Sequence, residues 1–147
     1  MPTADRAICI RVSDYSETSQ VVTFLARNAG LLRLLAKGAK RPKSRSGGAI
    51  DLLAEGACVY AGGRPETLAT LVEFVETASH SCLRRSLLRL NAALGMLELC
   101  GALLAEGDPQ PEVFDLLHAA LARLEQADAC PQAVLAYFQW RLLRQAG

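Results

Sequence analysis

The sequence predicts an α+β protein in which a small five-stranded β-barrel precedes a short all-α helical domain. In the first half of the 147-residue chain, apolar residues alternate with other residues in short segments, as they do in strands with one buried face. After residue 82 the apolar residues recur every three or four positions, which is the spacing of amphipathic helices. With 51% hydrophobic residues, a chain of this length can bury a core.

The first three strands are predicted before residue 38. The large apolar residues of AICIRV (7–12) alternate with the others, so one face of this strand should hold Ile8, Ile10 and Val12. SQVVTFLAR (19–27) is rich in β-branched and aromatic residues, and the turn residues 28–30 separate it from LLRLLAK (31–37). These two segments should form a hairpin.

A second hairpin is predicted from EGACVYAGG (55–63) and LATLVEFVE (68–76). The glycine and proline residues of GGRPET (62–67) provide the turn between them. Five short strands suit a closed or nearly closed barrel, because closure removes exposed sheet edges. An OB-fold is the leading candidate of this size, and an SH3-like barrel fits the same strands nearly as well.

Three helices should follow the strands. The first is predicted from a stripe of leucines, spaced alternately by four and three: Leu83, Leu87, Leu90, Leu94 and Leu97. GDPQPE (107–112) ends it, and Pro111 opens a second helix whose apolar face holds Val113, Phe114, Leu117, Ala120, Leu121 and Leu124. A third begins near Pro131, with Val134, Phe138 and Leu142 on one face. We therefore expect a barrel domain at 1–80 and a helical domain at 81–147.

The charges are unevenly distributed along the chain. The formal net charge is +1, yet residues 1–50 hold nine basic and three acidic residues, whereas residues 51–147 hold seven basic and twelve acidic ones. The two parts therefore carry +6 and −5. A strongly basic half indicates a polyanionic partner.

Most of this positive charge lies at the end of the third strand and in the segment after it. Arg33 and Lys37 share one face of the strand, and the charge continues through Lys40, Arg41, Lys43 and Arg45. Gly38 lets the chain turn close to a ligand. Among the aromatic residues, Tyr15 should be exposed and able to stack on a base, whereas Phe24 and Phe74 should lie in the core. The pattern indicates a groove for a phosphate backbone, and a merely solvated loop is the alternative.

Catalytic and metal-binding patterns are weak. With only His80 and His118, the sequence has no H-E-x-x-H helix, and it has no G-x-S-x-G elbow. Pro42 stands where a phosphate-binding Walker loop needs its second glycine, and Glu98 has no partner carboxylate. We expect both histidines to be structural or solvated. We predict no catalytic residue, no metal and no cofactor.

The spacing of the cysteines and the N-terminal sequence indicate the cellular compartment of the protein. The five cysteines lie at least 18 residues apart, so no C-x-x-C knuckle exists, and reduced, mostly buried thiols are expected. MPTADRAICI has no signal-peptide pattern, and LGMLELCGALLA (94–105) is too short to span a membrane. We expect a cytoplasmic protein without a membrane partner.

The sequence also resembles a known family. Tyr15, Glu17, the strand 21–24, Gly30 and AKGAKRPKSRSGG (36–48) resemble the N-terminal domain of the bacterial RecO recombination mediators, whose pattern runs Y-x-E, apolar strand, glycine turn, A-K-G-x-R/K-R-x-x-S. LLAEGDPQPEVFDLLHAALARLE and FQWRLLRQAG resemble that family's helical region. The resemblance covers nearly the whole chain.

This resemblance implies an OB-fold and a helical domain in a non-enzymatic, nucleoid-associated DNA repair protein. Such a protein would bind single- and double-stranded DNA, promote strand annealing, and work with RecR to load the recombinase RecA onto DNA coated by single-strand-binding protein. The phosphate-binding role would fall on Arg33, Lys37, Lys40, Arg41, Lys43 and Arg45, with Gly38 turning the backbone. The alternative is a protein-interaction adaptor whose barrel binds no nucleic acid.

One departure from the family pattern concerns the C-terminal part. Full-length members continue past the helix that ends in RLLRQAG (141–147), often into a four-cysteine zinc module. We therefore expect the helical domain to be truncated, without the zinc module. An apolar face should then be uncovered, and its expected residues are Phe138, Trp140, Leu142 and Leu143.

Overall fold

Five strands form a closed barrel in the computed structural model, which describes residues 1–62 and 68–146. The strands are β1 Thr3–Asp14, β2 Gln20–Ala26, β3 Gly30–Ala36, β4 Glu55–Ala61 and β5 Ala69–Ala78. Their order around the barrel is β1-β2-β3-β5-β4, and β4 pairs with β1 to close it. Every pairing is antiparallel except that of β3 with β5. This architecture confirms the predicted five-strand barrel and is consistent with an OB-fold.

The two predicted hairpins are present as pairs of antiparallel strands. The β2–β3 pair runs from Gln20 opposite Ala36 to Ala26 opposite Gly30. The β4–β5 pair is antiparallel as predicted, whereas the glycine and proline turn expected to join them falls largely on residues 63–67, outside the described residues. Inside the barrel, Phe24 and Phe74 stack with their ring centroids 5.2 Å apart, which confirms both as core residues.

Strand β1 is buried on both faces over part of its length. Cys9 points into the barrel interior, whereas Ile8 and Ile10 belong to a second core between the barrel and the helices. The register slips by one residue between Cys9 and Arg11, so that Val12 packs against the interior core instead. The expectation that Val12 shares a face with Ile8 and Ile10 is therefore wrong, because a β-bulge reverses the alternation.

The helical part begins with a 3₁₀ turn, Ser81–Arg85, and continues as α1 Leu87–Leu103, α2 Pro111–Leu124 and α3 Pro131–Ala146. Ser86 caps α1, since its side chain accepts a hydrogen bond from the backbone N–H of Arg89. Pro111 lies in the first turn of α2 as predicted. The six residues predicted for the apolar face of α2 are all buried.

The leucine stripe predicted for α1 is wrong in part. Leu83 belongs to the 3₁₀ turn, and Leu87 is 73% exposed at the first position of the helix. The face of α1 that packs instead consists of Ala92, Ala93, Met96, Leu97 and Cys100. The cap at Ser86 separates the turn from the helix, so Leu83 and the later leucines do not follow one helical phase.

Part of the apolar surface of α3 is uncovered. Trp140 and Leu143 are 54% and 60% exposed, as expected, but Phe138 and Leu142 are fully buried, so the expectation that all four lie open is wrong. The buried pair packs in the core shared with α1 and α2. Among the described helices, none combines the length and the hydropathy that crossing a bilayer requires.

Candidate nucleic-acid interface

The basic segment after β3, which we call the basic loop (residues 37–49), is a succession of tight turns. Backbone N–H groups of Arg41, Ser44 and Gly47 each donate to the carbonyl three residues earlier, at 3.0 Å. Gly38 opens the loop with φ of 66°, a conformation that suits glycine. Its N–H donates to Ser19 Oγ at 3.0 Å. The loop thus leaves the end of β3 in a defined direction.

Side-chain hydrogen bonds fix the shape of the basic loop. Ser44 Oγ donates to the carbonyl of Ala39 and accepts from the N–H of Gly48, both at 3.0 Å. At the far end, buried Gln20 donates to the carbonyl of Ile50 at 3.1 Å and accepts from its N–H at 2.9 Å. These contacts replace sheet pairing where the chain leaves the barrel.

Four of the six predicted phosphate ligands are exposed and have no ion pair within the described residues. They are Lys37, Arg41, Lys43 and Arg45. Each is a cation projecting from a loop whose backbone is held by its own turns. Such cations are free to neutralise a phosphate without first breaking an internal contact.

The other two predicted ligands already contact carboxylates. Lys40 Nζ lies 2.8 Å from Asp14 Oδ1 and also donates to the carbonyl of Ser16 at 3.0 Å. Arg33 Nε lies 3.7 Å from a carboxylate oxygen of Glu106. Lys40 therefore ties the β1–β2 connection to the basic loop, a structural role that the sequence did not indicate because its partner lies 26 residues away.

An open cleft of about 470 Å³ lies beside the start of the basic loop. Its lining residues are Tyr15, Thr18, Ser19, Leu35, Lys37, Gly38 and Arg41. The cleft thus brings together Tyr15 and three of the predicted residues that lie about twenty positions later in the chain. Tyr15 is 65% exposed, as predicted. A ring beside two cations can hold a base and its adjacent phosphates.

Three of the five thiols are buried. Burial raises the pKa of Cys9, Cys58 and Cys100 to about 12, so these side chains stay protonated at neutral pH. Cys82 and Cys130 are exposed. Within residues 1–62 and 68–146, no cluster of His, Cys, Asp and Glu has the arrangement of a metal site.

The sequence pattern did not predict one polar cluster, which lies between the barrel and the helices. Glu55 in β4 is buried, and both His80 and His118 contact its carboxylate. The expectation that the histidines are structural or solvated fits these positions. The sequence offered no signal for Glu55 as their partner, because the residues come from distant segments.

A closed five-stranded barrel is typical of the OB-fold class, many of whose members bind nucleic acids, and here a cleft beside the barrel is lined by cations. A family model described as recombination protein O N terminal matches residues 1–79, and another, described as recombination protein O C terminal, matches residues 84–147. The chain therefore belongs to the RecO family.

Curated relatives agree with this assignment. The chain is 38% identical over 142 residues to the DNA repair protein RecO of Salinibacter ruber, covering 97% of this chain and 55% of the relative. It is 38% identical over 144 residues to that of Synechococcus elongatus, covering 96% and 53%. With RecO of Rhodopirellula baltica it shares 34% over 131 residues, covering 89% and 48%. The chain spans about half the length of these relatives.

Proposed function

We propose that this chain is a DNA-binding recombination mediator of DNA repair, and that it acts without catalysis. The observation that carries the proposal is the cluster of exposed cations on the basic loop, beside a cleft with an exposed tyrosine. Family membership supports the same role, since the relatives are named DNA repair proteins. The protein would work in the bacterial cytoplasm, on the nucleoid.

Phosphate binding follows from the charges on the loop. Each phosphate that a Lys or Arg neutralises releases condensed counterions, so affinity is high at low salt and nearly independent of base sequence. Lys37, Arg41, Lys43 and Arg45 would make the main contacts. Arg33 and Lys40 would contribute less, because a phosphate must first compete with Glu106 or Asp14 for them.

The cleft adds a contact that a single strand can use. An unpaired base stacked on Tyr15 would place its neighbouring phosphates near Lys37 and Arg41, which line the same cleft. Duplex DNA would bind through its phosphates alone. Annealing needs no nucleophile, because cations that reduce the repulsion between two strands bring them together.

The partner proteins belong to the same proposal. RecR and single-strand-binding protein would contact the chain directly, and recombinase RecA would be loaded indirectly. This chain spans about half the length of its relatives, so its binding to these partners should be compared with that of the longer proteins.

Titration of a labelled single-stranded oligonucleotide at several salt concentrations tests the proposal. Changing Lys37, Arg41 and Lys43 to Ala should weaken binding and reduce the slope of log affinity against log salt by about 2, at about 0.7 per phosphate contact. The matched control changes Arg85, Arg141 and Arg144 to Ala, which removes the same charge from the helical part. Equal affinity and slope in the two triple variants would contradict the basic-loop interface.

The second candidate function is a protein-interaction adaptor. It is favoured by an apolar groove of about 580 Å³ between α2 and α3, whose lining includes Leu116, Ala120, Val134 and Tyr137. A folded wild-type chain that binds no oligonucleotide at low salt would favour this second function over the first.

A further inference from the structure

The polar cluster around Glu55 lies where the barrel meets the helices. Glu55 is the first residue of β4, His80 precedes the 3₁₀ turn, His118 lies in α2, and Glu125 follows the end of α2. The side chains of Glu55 and His80 are each only 4% exposed. Ionisable groups this deeply buried are costly unless each is hydrogen-bonded to a partner of opposite charge.

Each polar atom of the two buried side chains has such a partner. His80 Nε2 lies 3.1 Å from Glu55 Oε1, and His80 Nδ1 is hydrogen-bonded to Glu125 Oε1. The other oxygen of Glu55 lies 2.5 Å from His118 Nδ1 and 3.6 Å from Arg6 Nη2. His80 therefore connects a carboxylate of the barrel to a carboxylate at the end of α2.

With both carboxylates ionised, these contacts require a doubly protonated His80 ring. An ionised carboxylate only accepts hydrogen bonds, and a neutral imidazole has a single N–H. Both ring nitrogens can donate only when the ring is doubly protonated. Burial works against that cation, but the hydrogen bonds with Glu55 and Glu125 outweigh it and raise the pKa of His80 above its ordinary value.

We propose that His80 is a proton-operated clamp between the barrel and the helical unit. The doubly protonated ring ties Glu55 to Glu125. When the ring loses one proton, one nitrogen becomes an acceptor facing a carboxylate, and that contact is repelled. The Glu125 side chain is 32% exposed and can rotate into solvent, so Glu125 is the carboxylate that His80 releases.

The charged and titratable groups around Glu55 and Glu125 influence the range of pH in which the clamp is closed. Arg6 from β1 faces Glu55, the Cys82 thiol donates to Glu125 at 3.3 Å, Asp115 of α2 is near His118 and Arg6, and Arg85 is near Cys82. Burial opposes ionisation of Glu55, but the hydrogen bond from His80 and the positive charge of His118 outweigh it and lower the pKa of Glu55.

The sign of the pH dependence follows from these two shifts. The stabilisation from His80 is complete below the ordinary pKa of histidine and is lost as the pH rises through its raised value. The stabilisation from Glu55 is complete above the ordinary pKa of a glutamate and is lost as the pH falls through its lowered value. The clamp is therefore closed between these limits and opens on the alkaline side.

Nitrogen NMR of the His80 ring tests the clamp directly, over roughly pH 5 to 9, which spans the ordinary pKa of histidine. We expect the doubly protonated ring to lose its proton at a higher pH than an ordinary histidine does. In Glu125→Gln this titration should move to lower pH, because the amide keeps an acceptor but removes the charge. Glu112→Gln makes the same charge change in the first turn of α2 and should leave the titration unmoved.

Urea unfolding provides a second readout on the same variants. The loss of unfolding free energy caused by Glu125→Gln should be largest at mildly acidic pH, between the ordinary pKa values of glutamate and histidine, and should shrink as the pH rises through the raised pKa of His80. The effect of Glu112→Gln should stay constant over that range. A His80 ring that titrates at or below the ordinary pKa of histidine, or an identical His80 titration in wild type and Glu125→Gln, would overturn the clamp.

Discussion

At the scale of single residues, the six cations of the proposed interface divide into two kinds. Lys43 is exposed on the basic loop, whereas the side chain of Lys40 is only 25% exposed and contacts both Asp14 and the carbonyl of Ser16. Equal charge therefore does not mean equal function. In the proposed interface, a lysine that holds two segments together would affect DNA binding through the shape of the site as well as through its charge.

Single alanine variants should separate these two functions. Lys43→Ala should lower affinity for single-stranded DNA at low salt and leave the unfolding free energy unchanged. Lys40→Ala should lower the unfolding free energy by about 0.5–1 kcal/mol, because it removes an ion pair and a hydrogen bond between two loops. Urea denaturation and oligonucleotide titration measure the two effects. Identical stability of the two variants would contradict the structural role of Lys40.

Gly30 shows how one residue can fix the position of the helical unit on the barrel. Its φ is 77°, and a Cβ added there would lie 2.1 Å from the carbonyl oxygen of Asp108, in the segment between α1 and α2. That segment is held against β3 by the N–H of Gly107, which donates to the carbonyl of Leu31 at 3.0 Å. Because Gly30 has no side chain, the backbone of Asp108 can lie this close to the start of β3.

Gly47 provides a matched control for Gly30, since its φ is 75° and a Cβ there would meet nothing within 4 Å. Gly47→Ala should lower the unfolding free energy by about 1 kcal/mol, because alanine is strained in the left-handed backbone conformation. Gly30→Ala should lower the unfolding free energy by about 3 kcal/mol, because the Asp108 backbone must also move to make room for the added Cβ. Thermal and urea unfolding measure both values. Equal losses of unfolding free energy in the two variants would contradict the added cost of the close approach to Asp108.

At the scale of elements, helix α1 shows where a sequence pattern fails. Leu87, a member of the predicted stripe, is 73% exposed, whereas Leu97 is 2% exposed in the core formed with α2 and α3. Leu97→Ala should therefore lower the unfolding free energy by about 2–5 kcal/mol, and Leu87→Gln should change it by less than about 0.5 kcal/mol. Urea denaturation of the two variants measures this difference. A large loss in Leu87→Gln would restore Leu87 to the packed stripe.

Local patterns predicted the elements that depend on neighbouring residues. Both hairpins, the apolar face of α2, the exposed Tyr15 and the buried Phe24 could be predicted because alternation, turn residues and helical spacing are local properties. The bulge in β1 could not, since it depends on the register with β2. The Lys40–Asp14 pair and the contacts of Glu55 with two histidines join segments far apart in sequence, and no spacing rule indicates them.

At the scale of the whole molecule, the barrel and the helices share one core. Ile8, Leu25 and Leu31 from the strands belong to the same buried cluster as Leu97 and Phe114 from the helices. The clamp at His80 and the bidentate pair of Arg27 with Asp115, at 3.0 Å for both contacts, lie at the same junction. We therefore infer that the two expected domains, 1–80 and 81–147, are a single cooperative unit.

The variant Leu25→Ala tests this cooperativity from the barrel side. Leu25 lies in β2 and is fully buried in the shared core, so the change should cost about 2–5 kcal/mol. Trp140, the single tryptophan, lies in α3 and reports only on the helices. In a cooperative unit, its fluorescence transition in urea should shift as far as the circular dichroism transition of the whole chain. A Trp140 transition that stays at the wild-type midpoint would instead show two independently folding domains.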